Sequence, residues 1–161
     1  MTFFKTTKNH CFFVFLKYNK VNRLNNILIC QVIIYKFEDN TNSIMNRFVI
    51  IVAGGSGQRM GSTIPKQFLN IHKEVILMKS ISAFRLFDPA IQIVLALPEH
   101  HIAYWNELCS KNNFKIEHFV VQGGITRYQS VKNALETINT DGMVAIHDGV
   151  RPLVSRETIK H

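Results

Sequence analysis

Residues 50–69 read IIVAGGSGQRMGSTIPKQFL, and this stretch decides the fold. The apolar run Phe48-Val49-Ile50-Ile51-Val52 is long enough for one buried strand, and it empties into a loop with glycines at 54, 55, 57 and 61. A strand therefore ends where main-chain amides become available. Glycine turns through positive φ without strain, and lacking a Cβ it lets phosphate oxygens reach N–H groups that a side chain would shield. Arg59 and Lys66 add two permanent positive charges close by in sequence. Strand, glycine loop and cations are together the parts of a triphosphate site.

Counting excludes two common phosphate motifs. The dinucleotide fingerprint G-x-G-x-x-G needs glycine at position 60 after Gly55 and Gly57, where Met60 stands, and no glycine is followed by Lys-Ser or Lys-Thr as a Walker loop requires. What remains is A-G-G-S-G-Q-R-M-G followed by P-K-Q, a pattern that resembles the nucleotidyltransferase signature of enzymes activating sugar and polyol phosphates. A plain glycine-rich turn with two solvated cations is the competing reading of this stretch taken alone.

Composition narrows the class. With 161 residues, 47% apolar content and a mean hydropathy of +0.05, the chain is expected to be a soluble globular domain with a sizeable core. Ile27 to Phe37 is broken by Gln31 and Lys36 and is too short to span a bilayer. The hydrophobic residues 12–16 form too short a run for a secretory core, so a cytoplasmic location is expected. Cys11, Cys30 and Cys109 have no metal-ligand spacing and read as free thiols. The net charge of +8 is spread along the chain without a run of five like charges, which argues against a nucleic-acid partner.

Residues 1–44 contain no glycine, alanine or proline and are rich in Phe, Lys, Asn, Ile and Tyr, the residues of A/T-rich codons. They are expected to be a non-family extension, upstream read-through or disordered, with Met45 as the natural start and a basic targeting arm as the alternative. From 45 to 161 the pattern alternates. Val75 to Phe87 predicts a helix with Ile76, Met78, Ile81, Phe84 and Leu86 on its apolar face, stopped at Asp88-Pro89. Ile91 to Leu97 predicts a strand covered on both faces, and a helix follows over about 100–111. Ile116 to Val121 reads as a strand, Ile125 to Ile138 as a helix, and Met143 to Ile146 as a strand running into His147-Asp148-Gly149. Such alternation favours a mostly parallel sheet in a three-layer α/β/α sandwich with right-handed crossovers. Ligands of these sheets gather beyond the carboxyl ends of the strands, where the loops 53–66, 122–130 and 147–152 fall.

Each loop carries its own chemistry. In Gly123-Gly124-Ile125-Thr126-Arg127-Tyr128-Gln129-Ser130, Arg127 and Ser130 share a helix face in the first turns, where free amides favour an anionic or polar ligand. Thr126 as a simple cap, Arg127 as a solvated charge and Ser130 as an ordinary exposed serine remain open there. Asp148, following a strand, suits a hard divalent cation or a turn. His147 reads as structural, since phosphoryl chemistry here needs no imidazole base. Arg151 suits a substrate phosphate or Asp148 itself.

Taken in order, AGGSGQRMG…PKQF, GGITRYQSVKNAL and HDGVRPLV resemble the 2-C-methyl-D-erythritol 4-phosphate cytidylyltransferase family from about Met45 onward. The resemblance implies a Rossmann-like nucleotidyltransferase fold and cytidylyl transfer from CTP to a polyol phosphate in non-mevalonate isoprenoid synthesis. It implies that Arg59 and Lys66 are catalytic, and that Ala53, Gly54, Gly55, Gly57, Gly124 and Ser130 surround the nucleotide. Asp148 and Arg151 would lie on the substrate side, with Asp148 holding Mg²⁺ or another divalent cation. Ile125 departs from the polar or small residue common at its position, and Gly149-Val150 stand where many relatives have two alanines. The resemblance stops shortly after Pro152, so the sheet is expected to be incomplete at the C-terminus. The family's homodimerisation arm and late substrate-binding residues are expected to be absent, leaving CTP contacts largely encoded and efficient turnover not. A ribitol-5-phosphate cytidylyltransferase and a non-catalytic nucleotide-binding remnant are the alternatives.

Overall fold

The computed structural model describes residues 16–18, 45–54 and 64–160. Among the described residues, seven strands and four helices run in the order β1 (Leu16–Tyr18), β2 (Asn46–Val52), β3 (Asn70–Ile71), β4 (Glu74–Val75), α1 (Ile76–Phe87), β5 (Gln92–Leu97), α2 (Glu99–Lys111), β6 (Phe119–Gln122), α3 (Arg127–Glu136), β7 (Gly142–Asp148) and α4 (Arg156–Lys160). A 3-10 turn over Lys66–Phe68 precedes β3. The main sheet has the order β1-β7-β2-β5-β6, and every pair in it is parallel except β1 with β7. Residues 1–15 and 19–44 of the expected extension lie outside the described residues; Leu16–Tyr18 pairs antiparallel with Gly142 to Val144 at the edge of the sheet.

The continuous apolar run of β2 follows from its position. Val49, Ile51 and Ala53 face a core completed by Leu77, Ile81 and Phe84 of α1, Trp105 of α2 and Ile159 of α4. Phe48 and Ile50 face the opposite core, closed by Ala134 and Leu135 of α3. A strand buried on both sides has no place for a polar alternate, and each fully buried valine or isoleucine contributes about 1.5–3 kcal/mol. β5 repeats the pattern with Ile93, Leu95 and Leu97 on one face and Val94 on the other. The result is the expected three-layer α/β sandwich.

Local differences from the expected elements have identifiable causes. In α1 the buried residues are Leu77, Met78, Ser80, Ile81 and Phe84, while Leu86 is 76% exposed, because two positions beyond Phe84 a helix has turned roughly half a revolution. β6 begins at Phe119 rather than Ile116. The His118 ring is held by the Trp105 indole N–H, 3.0 Å from Nε2, and by the Ile116 carbonyl, 2.7 Å from Nδ1, so this segment is tied under α2 before pairing with β5 begins. α3 starts at Arg127 because Thr126 and Gln129 form a reciprocal capping box. β7 extends through Asp148. The hairpin β3–β4 turns through His72 and Lys73 at φ 50° and 70°, without the asparagine or glycine that usually announces such a turn.

Two side chains lock the start of the sheet. The buried Asp88 carboxylate at the end of α1 forms an ion pair with Arg47, whose Nε lies 2.8 Å from Oδ2, and its Oδ1 accepts from Arg47 Nη2 at 3.2 Å and from the Ala90 amide at 3.0 Å. Gly142, opposite Asn46, leaves no space for a side chain: a Cβ there would lie 2.5 Å from the Asn46 carbonyl oxygen and 2.8 Å from Phe48 Cε2. Among the described residues no helix is long and apolar enough to cross a membrane. Gly142→Ala is therefore expected to cost about 1–3 kcal/mol by overpacking, seen as a lower midpoint in thermal or urea unfolding; an unchanged midpoint would contradict the close approach.

Candidate functional site

Strand order locates the site. From β2 the chain steps to β5 and β6 on one side, then returns to β7 on the other, so the sheet reverses direction between the carboxyl ends of β2 and β7. In open α/β sheets such a reversal leaves a crevice beyond the strand ends. The crevice walls are tied to the sheet by main-chain bonds: Ala53 N–H to the Ala96 carbonyl at 3.0 Å, and Gly149 N–H to the Val52 carbonyl at 2.9 Å. A side chain at Gly149 would meet Leu77 Cδ1 at 2.8 Å and Ala53 Cβ at 2.9 Å. The two loops therefore pack directly on each other.

The turn after β6 forms the next wall. Gly123 N–H donates to the Leu97 carbonyl at 2.7 Å. Ser130 is only 3% exposed, and its hydroxyl accepts from Gly124 N–H at 3.0 Å while it donates to the Thr126 carbonyl at 3.0 Å. Ser130 is thus built into the turn and is not an ordinary exposed serine. Thr126 does cap α3, with its Oγ1 accepting from Gln129 N–H at 3.1 Å and Gln129 Oε1 accepting from Thr126 N–H at 3.1 Å. A Cβ at Gly124 would run into Gln129, so only glycine fits under this cap. Ile125 is 98% exposed, and Arg127 reaches across to the next loop.

Asp148 is where the last two loops meet. It is the final residue of β7, paired with Val52, and so lies in the strand where the sequence pattern ended the strand at Ile146. Its Oδ1 accepts from Arg127 Nε at 3.2 Å and its Oδ2 from Arg151 Nε at 3.1 Å. Two guanidiniums on one carboxylate leave this part of the rim electropositive. Arg127 is therefore not a lone solvated charge, and Arg151 pairs with Asp148 in this state.

Two buried side chains hold that loop from below. The Ser80 hydroxyl of α1 lies 2.9 Å from the Gly149 carbonyl and 3.1 Å from the Ile76 carbonyl. His147 is 1% exposed, packs edge-on against Phe84 with ring centroids 5.0 Å apart, and places Nε2 3.0 Å from the Arg151 carbonyl. A carbonyl only accepts, so Nε2 carries the hydrogen. Burial pushes the imidazole pKa down to about 4, with the Arg151 carbonyl opposing that shift less strongly. His147 is a structural group, as expected.

The structure brings together Ala53, Gly124, Ser130, Asp148 and Arg151 on the strand-end rim, with Gly54 directly after Ala53. Gly55, Gly57 and Arg59 lie outside the described residues. Lys66 is exposed on the 3-10 turn beside Gln67, and its ammonium has no ion-pair partner among the described residues. The groups missed from sequence are Ser80 and Gln67. Ser80 had a faint signal, a polar residue on an apolar helix stripe. Gln67 had none beyond its place in P-K-Q.

For a divalent cation the donor set is a single carboxylate, and no group of three His, Cys, Asp or Glu side chains among the described residues is placed to hold one. Asp148 fits a hard cation that draws the rest of its shell from phosphate oxygens and water, at the expense of one arginine contact.

A mostly parallel sheet with flanking helices and these turns at its reversal point is a doubly wound α/β fold. The chain belongs to the 2-C-methyl-D-erythritol 4-phosphate cytidylyltransferase (IspD) family, whose model matches residues 47–161. The family's curated member from Phocaeicola vulgatus is 52% identical over 115 residues, covering 71% of this chain and 52% of the relative. That from Bacteroides thetaiotaomicron is 48% identical over 116 residues, covering 72% and 53%. The chain thus spans about half the length of the curated relatives it matches. Among solved structures, the bifunctional IspDF of Campylobacter jejuni aligns with a TM-score of 0.59 and 27% identity over 71% of this chain and 29% of that one. The 4-diphosphocytidyl-2C-methyl-D-erythritol synthase of Anaerococcus prevotii shares the fold with a TM-score of 0.58 at 22% identity, over 71% and 48%.

The buried imidazole makes the loop sensitive to acid. Between pH 6.5, the ordinary histidine value, and about 4 the unfolded chain takes up a proton that the folded chain refuses. Stability contributed by His147 is therefore intact above pH 6.5 and falls as the pH drops towards 4, by up to about 3 kcal/mol. Urea unfolding at pH 7 and pH 5 should show this loss in the wild type and a shallower one in His147→Gln; equal slopes would contradict the assignment.

Proposed function

We propose that the protein is a cytoplasmic cytidylyltransferase that joins CTP to 2-C-methyl-D-erythritol 4-phosphate, forming 4-diphosphocytidyl-2-C-methyl-D-erythritol and pyrophosphate. The observation that carries this reading is the meeting of the Gly124–Ser130 turn with the Arg127–Asp148–Arg151 cluster at the sheet's reversal point. Membership of the family supports the choice of nucleotide and acceptor.

In this reading a phosphate oxygen of the acceptor attacks the α-phosphorus of CTP, the bond to the β-phosphate oxygen breaks in line, and pyrophosphate leaves. A phosphate monoester is a competent nucleophile at neutral pH, so no proton-abstracting triad is required. Rate then comes from alignment and from neutralising charge as it moves onto the departing pyrophosphate. The Gly123–Gly124 turn and Ser130 present a narrow main-chain surface suited to the flat cytosine end of the nucleotide. Lys66, free of protein partners among the described residues, is available to the phosphates. Arg59 is assigned the same duty from the sequence motif. Arg151 holds one Asp148 oxygen through Nε, leaving its outer nitrogens to face an acceptor phosphate. Mg²⁺, held by Asp148 with phosphate oxygens, would supply further charge neutralisation.

Titration with CTP and Mg²⁺, followed by turnover assays with methylerythritol 4-phosphate and ribitol 5-phosphate, tests the reading. CTP binding with slow turnover of the first acceptor is expected; CTP-dependent turnover confined to ribitol 5-phosphate, or no CTP binding, would overturn it. Lys66→Ala should slow turnover by about 100-fold or more and weaken CTP binding by only about tenfold; an unchanged rate would remove it from the catalytic set.

A further inference from the structure

Gln67 is fully buried, yet it makes only part of the bonding an amide side chain requires. Its Nε2 donates to the Ala53 carbonyl at 2.9 Å, and its Oε1 finds no hydrogen-bond donor among the described residues. We propose that Gln67 is a positioning residue: it staples the start of the glycine-rich segment to the turn that carries Lys66, and so fixes where the Lys66 ammonium meets the nucleotide's phosphates. The proposal rests on the CTP reading given above.

The geometry makes Ala53 a fixed point. Its N–H is held by the Ala96 carbonyl on the neighbouring strand, and its C=O is held by Gln67, so the last residue before the glycines is bound on both sides. The turn is equally constrained. Phe68 N–H closes on the Pro65 carbonyl at 2.9 Å and Leu69 N–H on the Lys66 carbonyl at 3.1 Å. The Phe68 ring is buried against α2, edge-on to His101 and Tyr104 at 5.4 and 5.2 Å between centroids. Lys66 thus projects into solvent from a short piece of backbone whose next two side chains are both anchored.

Stability alone does not explain the choice of residue. A methionine of nearly the same length and shape would remove the unpaired Oε1 but leave the buried Ala53 carbonyl without its donor, so glutamine's net gain to folding is a single hydrogen bond. The donor side of the amide reaches the one carbonyl that joins the strand to the glycine segment. No other side chain among the described residues bonds to that carbonyl.

The test compares wild type, Gln67→Met, Lys66→Ala and the double variant by thermal unfolding, amide hydrogen exchange over residues 64–69 and CTP titration in Mg²⁺. Gln67→Met is expected to melt only slightly below the wild type, because one hydrogen bond is lost while one unpaired oxygen is exchanged for another. It should exchange faster over 64–69 and bind CTP about tenfold more weakly, the loss expected for one well-placed interaction. That weakening should vanish in the Lys66→Ala background, since the glutamine acts through the lysine. Additive losses in the double variant, or a Gln67→Met protein melting far below the wild type, would show a merely structural residue and overturn the proposal. Wild-type protein that takes no CTP would sink the cytidylyltransferase reading, while unchanged exchange at 64–69 would overturn the Gln67 assignment whatever the titration shows.

Discussion

The parallel pairing of β2 between β5 and β7 is the constraint from which the site follows. Seven register pairs join β2 to β7 and five join it to β5, and both faces of the strand are buried. A strand so enclosed ends all at once, and the chain beyond it emerges beside the end of β7. The Val52–Asp148 pair then fixes a carboxylate next to the first residues of the glycine segment. Hydrophobic burial, a non-directional effect, is converted by the register into the placement of charge.

The charge so placed is balanced by neighbours from two other elements. Arg127 comes from the first turn of α3 and Arg151 from the loop after β7, and they share the two oxygens of Asp148. Both guanidiniums remain partly exposed, so the ion pairs add little to stability, and their main effect is orientation. Anions approaching the crevice meet two arginines already held at the rim. Beneath them Ser80 and a neutral His147 grip the carbonyls of Gly149 and Arg151, so the loop that carries the charges does not depend on those charges for its shape.

Much of this was legible in the amino-acid order. Apolar runs without alternation announced the two-faced strands β2 and β5, and glycine next to such a run announced the rim. The cap at Thr126 is one of the readings that its turn leaves open, and His147 reads as structural on chemical grounds. What escaped was long-range or sterically unusual. The Arg127–Asp148 pair joins residues 21 positions apart, and no pattern in either segment shows that their side chains touch. The hairpin over 70–75 turns on histidine and lysine at positive φ, a conformation its packing imposes and its composition does not suggest. Nothing in the order Lys66-Gln67-Phe68 shows that the fold buries the glutamine.

The central claim is that the nucleotide lies in the crevice between β2 and β7, against the turn after β6. Backbone amide chemical shifts, followed while CTP and Mg²⁺ are added, test it most directly. The account predicts that the largest changes fall on Ala53, Gly54, Gly123, Gly124, Ser130, Asp148 and Gly149. Changes confined to the opposite end of the sheet, around Asn46, Gln92, Phe119 and Gly142, would contradict it.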